Sequence, residues 1–162
     1  MADLAPGQIV EAEVEAAEVF GLFCRASGRS LLVRIPEVSW IAAFCSCRQF
    51  AAPGDRVTVI VTEIDPAGRI YASIRQVHPD PWAAGRLAPG AILRARVARP
   101  VPAADRCADG PGYLLEMLPG AYAMLCADDL ALQPDQRLPV RIAGADPPRR
   151  AVKLEIVTDD EP

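Results

Sequence analysis

Val19-Phe20-Gly21-Leu22-Phe23-Cys24-Arg25-Ala26-Ser27-Gly28-Arg29-Ser30-Leu31-Leu32-Val33-Arg34-Ile35 decides how this 162-residue chain folds. It reads as two short strands, Val19 to Ala26 and Ser30 to Ile35, rich in β-branched and aromatic residues and joined by a tight Ser27-Gly28-Arg29 turn. Two phenylalanines flank a glycine on the first strand, and Arg34 stands near the end of the second. Strict alternation sends Phe20 and Phe23 to opposite faces, because they are three residues apart. A bulge at Gly21 is the expected remedy, re-aiming one ring so that both share a surface. Two rings beside a guanidinium form a stacking platform for unpaired bases; the competing reading makes both rings core residues.

Upstream, Leu4-Ala5-Pro6-Gly7 leads into a strand from Gln8 to Ala16. Val10, Ala12 and Val14 take one face, and Glu11, Glu13 and Glu15 the other. Downstream, Pro36 to Phe50 breaks the alternation, and the four-residue spacing of Trp40 and Phe44 suggests a turn of helix whose rings cap a barrel end. Ala52-Pro53-Gly54-Asp55 turns the chain into Arg56 to Ile64, with Val57, Val59 and Val61 inward. Asp65-Pro66-Ala67-Gly68 turns it again into Arg69 to Arg75, with Ile70, Ala72 and Ile74 inward and Arg69, Tyr71, Ser73 and Arg75 outward. Five short strands joined mostly by turns point to a small closed or partly open barrel, and the fold class is all-β.

His78-Pro79-Asp80-Pro81-Trp82 ends this unit, and Leu87-Ala88-Pro89-Gly90 repeats its opening. Gln133-Pro134-Asp135-Gln136-Arg137 echoes Ala52 to Arg56, and Asp146-Pro147-Pro148-Arg149-Arg150 echoes Asp65 to Arg69, at offsets of 83 residues and then 81. The reading is two tandem five-stranded barrels, 5–77 and 86–158, with a linker at 78–85 and an acidic tail at 159–162. The second copy's strands are expected at Ala91 to Ala98, Gly112 to Leu118, Ala121 to Cys126, Arg137 to Ala145 and Ala151 to Val157. This copy has lost the phenylalanine pair, and Leu125 falls where Arg34 stands. Of nine aromatic residues, seven lie before residue 86, so the stacking equipment belongs to the first unit.

The residues of the first unit resemble the S1 RNA-binding domain, the repeated module of the largest bacterial small-subunit ribosomal protein. The likeness lies in Pro6-Gly7, Phe20-Gly21-Leu22-Phe23, Val33-Arg34-Ile35, Glu37-Val38-Ser39-Trp40, Pro53-Gly54-Asp55-Arg56-Val57, Ile64-Asp65, Arg69-Ile70, Ser73-Ile74-Arg75 and Pro79-Asp80-Pro81-Trp82. It implies the five-stranded OB-fold, and an RNA face falling on Phe20, Phe23, Arg34, Asp65 and Arg69. Arg34 replaces the family's usual histidine; an arginine can still stack on a base and bond a phosphate. Only Asp146 and Arg150 correspond in the second copy. Arg25, Arg34, Arg69 and Arg75 are the candidate phosphate contacts, and Tyr71 joins the outward set.

Bulk properties narrow the function. A net charge of −4, with one lysine against sixteen arginines, excludes a generic basic clamp. Weak, sequence-tolerant binding of single-stranded RNA, with affinity on the order of micromolar, is expected. The ribosome or another protein is a further candidate partner, and an adaptor built on the same scaffold is the alternative function. No membrane span and no export signal are read, which gives a cytoplasmic expectation. Five irregularly spaced cysteines read as free thiols; no metal, cofactor or catalytic group is expected. Glu11 and Glu13 align with Arg94 and Arg96 of the second copy; either these strands pair the two barrels or two chains, or both sets are solvated outer faces.

Overall fold

The computed structural model describes residues 4–42, 46–101, 112–126 and 131–157. Alternating burial builds the first unit: β1 (Ile9–Ala17) buries Ala12 and Val14 and exposes Glu11, Glu13 and Glu15. β2 (Gly21–Ala26) buries Leu22, Cys24 and Ala26; β3 (Arg29–Arg34) buries Leu31 and Val33. β4 (Arg56–Ile64) and β5 (Ile70–Ser73) add Val59, Val61, Ile70 and Ala72. These strands close into a barrel of order β1-β2-β3-β5-β4, in which β3 and β5 are the parallel pair. Closure removes the exposed strand edges that a five-stranded sheet would otherwise present.

The β2–β3 hairpin is tighter than expected. Ser27 and Gly28 alone form the turn, both with positive φ (51° and 74°), so Ala26 lies opposite Arg29 and Phe23 opposite Leu32. The expected bulge at Gly21 is corrected: Gly21 pairs in regular register with Arg34, and the bulge lies across the ladder on β1, between Val14↔Cys24 and Ala16↔Phe23. Gly21 serves another purpose. A Cβ there would stand 2.7 Å from the Val33 carbonyl oxygen and 3.0 Å from Leu32 Cδ1, so its absence lets β3 approach.

β5 is shorter than the expected Arg69 to Arg75. It ends at Ser73, and a 3₁₀ turn over Arg75–Val77 follows. Ser73 is therefore fully buried and not outward, its hydroxyl donating to the Glu37 carbonyl (3.4 Å) and accepting from the Gln76 N–H (3.1 Å). The Pro36 to Phe50 stretch contains 3₁₀ turns at Ile35–Glu37 and Cys47–Gln49; Phe44 lies outside the described residues.

The second unit repeats the strand sequence with β6 (Ile92–Val101), β7 (Gly112–Leu118), β8 (Ala121–Cys126), β9 (Arg137–Asp146) and β10 (Ala151–Ile156). The chain is thus all-β with two five-stranded OB-like units, as the duplication implies. Its second sheet, ordered β10-β9-β6-β7-β8, is open, because β8 and β10 share no ladder. The first unit fills one end of that seam. Trp40 N–H donates to the Gly120 carbonyl beside β8 (2.9 Å), and Ala42 N–H donates to the Arg150 carbonyl beside β10 (2.7 Å). Ile41, 2% exposed, belongs to the second core, and Trp40 and Trp82 pack against it.

The junction is polar as well as apolar. The Ser39 hydroxyl donates to the Tyr122 carbonyl (3.1 Å) and accepts from its N–H (2.8 Å), while the Trp82 indole donates to the Trp40 carbonyl (2.7 Å). Phe50 meets Tyr122 edge to face at 4.8 Å. Of the two readings of the charge inversion, pairing of the barrels through β1 and β6 is not present among the described residues. Arg96 is held inside its own unit by Glu116 (3.3 Å) and Asp135 (3.0 Å), and Glu11 lies 3.7 Å from Arg56. No helix among the described residues is long and apolar enough to cross a membrane.

Candidate nucleic-acid interface

Three outward side chains form a row across adjacent strands of the first barrel. Phe23 on β2 faces Leu32 on β3, and Leu32 faces Tyr71 on β5 through the parallel ladder. They line an open groove of about 610 Å³, whose rim carries Arg29 and Arg69. Phe20 lies just before β2, with its carbonyl held by the Ile35 N–H at 2.8 Å, and so escapes strand alternation. Its ring meets that of Phe23 edge to face, centroids 5.8 Å apart. Both rings are exposed, Phe20 by 53% and Phe23 by 39%. They stand together outside the core.

Arg34 follows two residues after Leu32 on the same face, and its guanidinium lies over Tyr71, 4.4 Å from the ring centroid. An exposed cation–π pair of this kind stabilises by about 0.5–1 kcal/mol, little enough for a nucleobase to compete for either partner. A bulge in β4 between Val61 and Glu63 turns Glu63 toward Tyr71, where its carboxylate stands 4.0 Å from Arg34. Both side chains are more than half exposed, so solvent screens this contact. Asp65 does not reach into the groove by itself. Its carboxylate accepts from the backbone N–H of Ala67 (3.0 Å) and Arg69 (2.8 Å), fixing the β4–β5 turn and with it the origin of the Arg69 side chain.

Two expected phosphate contacts are placed elsewhere. Arg25 shares the outer face of β2, but its guanidinium is drawn to Glu15 on β1 and to the Gly28 carbonyl (3.3 Å), away from the groove. Arg75 is corrected more fully: the 3₁₀ turn carries it to the inter-unit junction, where it pairs with Glu37 at 3.1 Å beneath the Trp40 ring, 4.7 Å from the centroid. Burial pushes the Glu37 carboxyl up. Hydrogen bonds from Ser73, Gln76 and Arg75, together with the Arg75 charge, outweigh burial and hold it below the usual carboxylate value.

Arg29 and Leu32 also line the groove, and no motif in the sequence points to either. The hairpin turn holds the signal for Leu32: once Ser27-Gly28 is a two-residue turn, counting back from Ala26↔Arg29 places Leu32 beside Phe23.

The second unit has no comparable row among its described residues. Leu125, at the position of Arg34, is 6% exposed, and Asp146 stands 3.7 Å from Arg149. Arg150 turns back to the first unit, where its Nη1 donates to the Ser39 carbonyl at 3.1 Å. Burial, then the nearby Arg75, lowers its pKa despite Glu37 and Asp80. The cation corresponding to Arg69 thus serves the junction. Cys24 and Cys47 are buried free thiols whose pKa values burial pushes to about 11 and about 12. Among the described residues no group of three or more His, Cys, Asp or Glu side chains could hold a metal ion.

No family model matches the chain. A polyribonucleotide nucleotidyltransferase of Streptococcus mutans serotype c is 40% identical over 76 residues, which is 46% of this chain and 10% of that enzyme. Among solved structures, a chain of the a/eIF2alpha–aDim2p–rRNA complex from Pyrococcus horikoshii OT3 is similar at 25% identity and a TM-score of 0.44, covering 52% of each chain. GSP13 from Bacillus subtilis is similar at 29% identity and a TM-score of 0.41, covering 49% of this chain and 64% of its own. A multidomain protein with nucleic acid binding domains from Streptococcus pneumoniae TIGR4 is similar over 99% of this chain and 55% of its own, at 15% identity and a TM-score of 0.36.

Proposed function

We propose that the chain is a tandem member of the S1 family of OB-fold nucleic-acid-binding domains, its second copy degenerate, and that it binds single-stranded RNA through the first barrel. The observation that carries this reading is the row Phe23, Leu32 and Tyr71, extended by Phe20 and overlaid by Arg34, between Arg29 and Arg69. Exposed rings offer faces to any base, so the binding is sequence-tolerant. The rim arginines take phosphates, while Asp65 holds the turn that presents Arg69. With two or three phosphates neutralised, the logarithm of affinity falls with the logarithm of salt at a slope of only about −2, as a single strand allows. The outward glutamates of β1 keep affinity on the order of micromolar. We place the protein in the cytoplasm, in translation or RNA metabolism.

Fluorescence anisotropy with a labelled single-stranded RNA, comparing wild type with Phe23→Ala, tests the proposal. Loss of affinity on truncating the ring supports it. Absence of binding by the wild type favours the adaptor reading, in which the acidic chain uses the same exposed rings on a protein partner.

A further inference from the structure

Among the described residues β10 is laddered to β9 alone; on its other side the Ala42 N–H meets the carbonyl of Arg150, just before the strand, and no described strand lies beyond it. The equivalent strand of the first barrel, β5, is paired on both sides. The direction of the free groups follows from the ladder. Val157 N–H donates to the Pro139 carbonyl at 3.0 Å, and alternate residues of an antiparallel strand address the same neighbour. The register slips by one residue between Lys153↔Gly144 and Leu154↔Ile142, but the extra residue, Ala143, lies on β9, so β10 keeps its alternation: Lys153 and Glu155 direct their backbone groups to β9, and Val152, Leu154 and Ile156 direct theirs to the open edge.

The side chains of β10 are self-complementary on both faces. Val152, Leu154 and Ile156 pack only partly buried against the second core, whereas Lys153 and Glu155 are exposed on the other face. An antiparallel pairing of two copies about a two-fold axis at Leu154 sets Leu154 opposite Leu154 and Val152 opposite Ile156. Those are the positions whose N–H and C=O groups are directed outward, so the hydrogen bonds and the apolar contacts coincide. The same register sets Lys153 opposite Glu155 twice, at the non-hydrogen-bonded positions, where side chains come closest. A register centred on Lys153 or Glu155 would face the wrong backbone groups. Glu155 also meets Arg141 at 3.2 Å and remains 53% exposed, which leaves it accessible to a second cation.

We propose that the chain forms a two-fold symmetric dimer in which β10 pairs with β10 of a second copy, joining the two open sheets into one. The opposing possibility is that Lys153, the sole lysine of the chain, guards the edge against such pairing.

Sedimentation velocity of the full chain from about 1 μM to about 200 μM distinguishes them. A dimer is expected at the upper end. Lys153→Glu and Glu155→Lys, both at exposed positions, should each weaken self-association at least about tenfold by setting like charges opposite one another. An equimolar mixture of the two variants should restore it, since opposite charges then face each other. A wild type that stays monomeric throughout, a dimer indifferent to both substitutions, or a mixture that fails to associate overturns the proposal. Hydrogen exchange on the wild type gives a reading independent of the variants: the Leu154 and Ile156 amides should gain protection with concentration, and exchange that ignores concentration also overturns it.

Discussion

Replacing Phe23 with alanine sets two effects against each other, and the structure decides their sizes. The ring is 39% exposed, so truncation costs less than the roughly 1.5–3 kcal/mol gained by complete burial of such a side chain. A domain stable by about 5 kcal/mol or more still keeps about 97% or more of its molecules folded after that loss. Unfolding therefore changes the apparent affinity by about 3% or less. Removing a stacking surface matters far more: it costs about 1–3 kcal/mol per base, or a rise in Kd of roughly 5- to 150-fold. The edge-to-face contact that braces Phe20 disappears as well, moving the expectation toward the upper part of that range. Anisotropy titration with a labelled single-stranded RNA reads the change, and circular dichroism checks the fold. Arg75→Ala is the internal comparison; at the junction beneath Trp40 it should lower the melting temperature while leaving Kd within about twofold. A Phe23→Ala protein that is folded and binds within about twofold of wild type refutes the reasoning.

Other expectations follow from individual contacts. Gly21→Ala forces a Cβ to 2.7 Å from the Val33 carbonyl and should destabilise the first barrel by about 1–3 kcal/mol in urea titration, the range of overpacked sites. Ile41→Ala empties a position in the second core although the residue belongs to the first unit; a loss of about 2–5 kcal/mol should appear in the unfolding of the second unit. The depressed pKa of Glu37 contributes stability present above the unfolded-state value, near 4.5, and lost as pH falls through the lower folded-state value. Glu37→Gln should accordingly flatten the fall in melting temperature measured from pH 5 toward pH 3. With Cys24 and Cys47 raised to about 11 and about 12, alkylation at pH 8 followed by peptide mapping should leave both unmodified until denaturant is added.

The strands are largely legible in the sequence because strand information is local. Alternation of valine, alanine and glutamate over eight or nine residues fixes both the element and its buried face, and Pro-Gly-Asp turns mark the ends. β4, β7 and β8 have the boundaries expected from sequence, and the others differ by one to three residues at an end. Arg75 escapes that reading for a related reason. Its alternation continues that of β5, but the backbone leaves the sheet at Ser73 because the Ser73 hydroxyl and the Ile74 N–H are bonded to the Glu37 carbonyl. Nothing within the strand announces a partner 36 residues away.

What the sequence determined by itself was the all-β class, the duplication, and the presence of two phenylalanines, a tyrosine and several arginines in one unit. Which of these share a surface was decided only in three dimensions. The groove depends on the parallel register that sets Leu32 beside Tyr71 and on the bulge that brings Glu63 toward Arg34. The second unit's open seam, the chain segment Trp40–Ala42 closing one end of it, and the diversion of Arg150 to Ser39 depend on contacts between residues about 80 to 110 positions apart. Periodicity reports which face of a strand is buried, because burial acts on each side chain through its own pleat. It carries no record of which distant backbone will lie alongside, and that choice placed the charges.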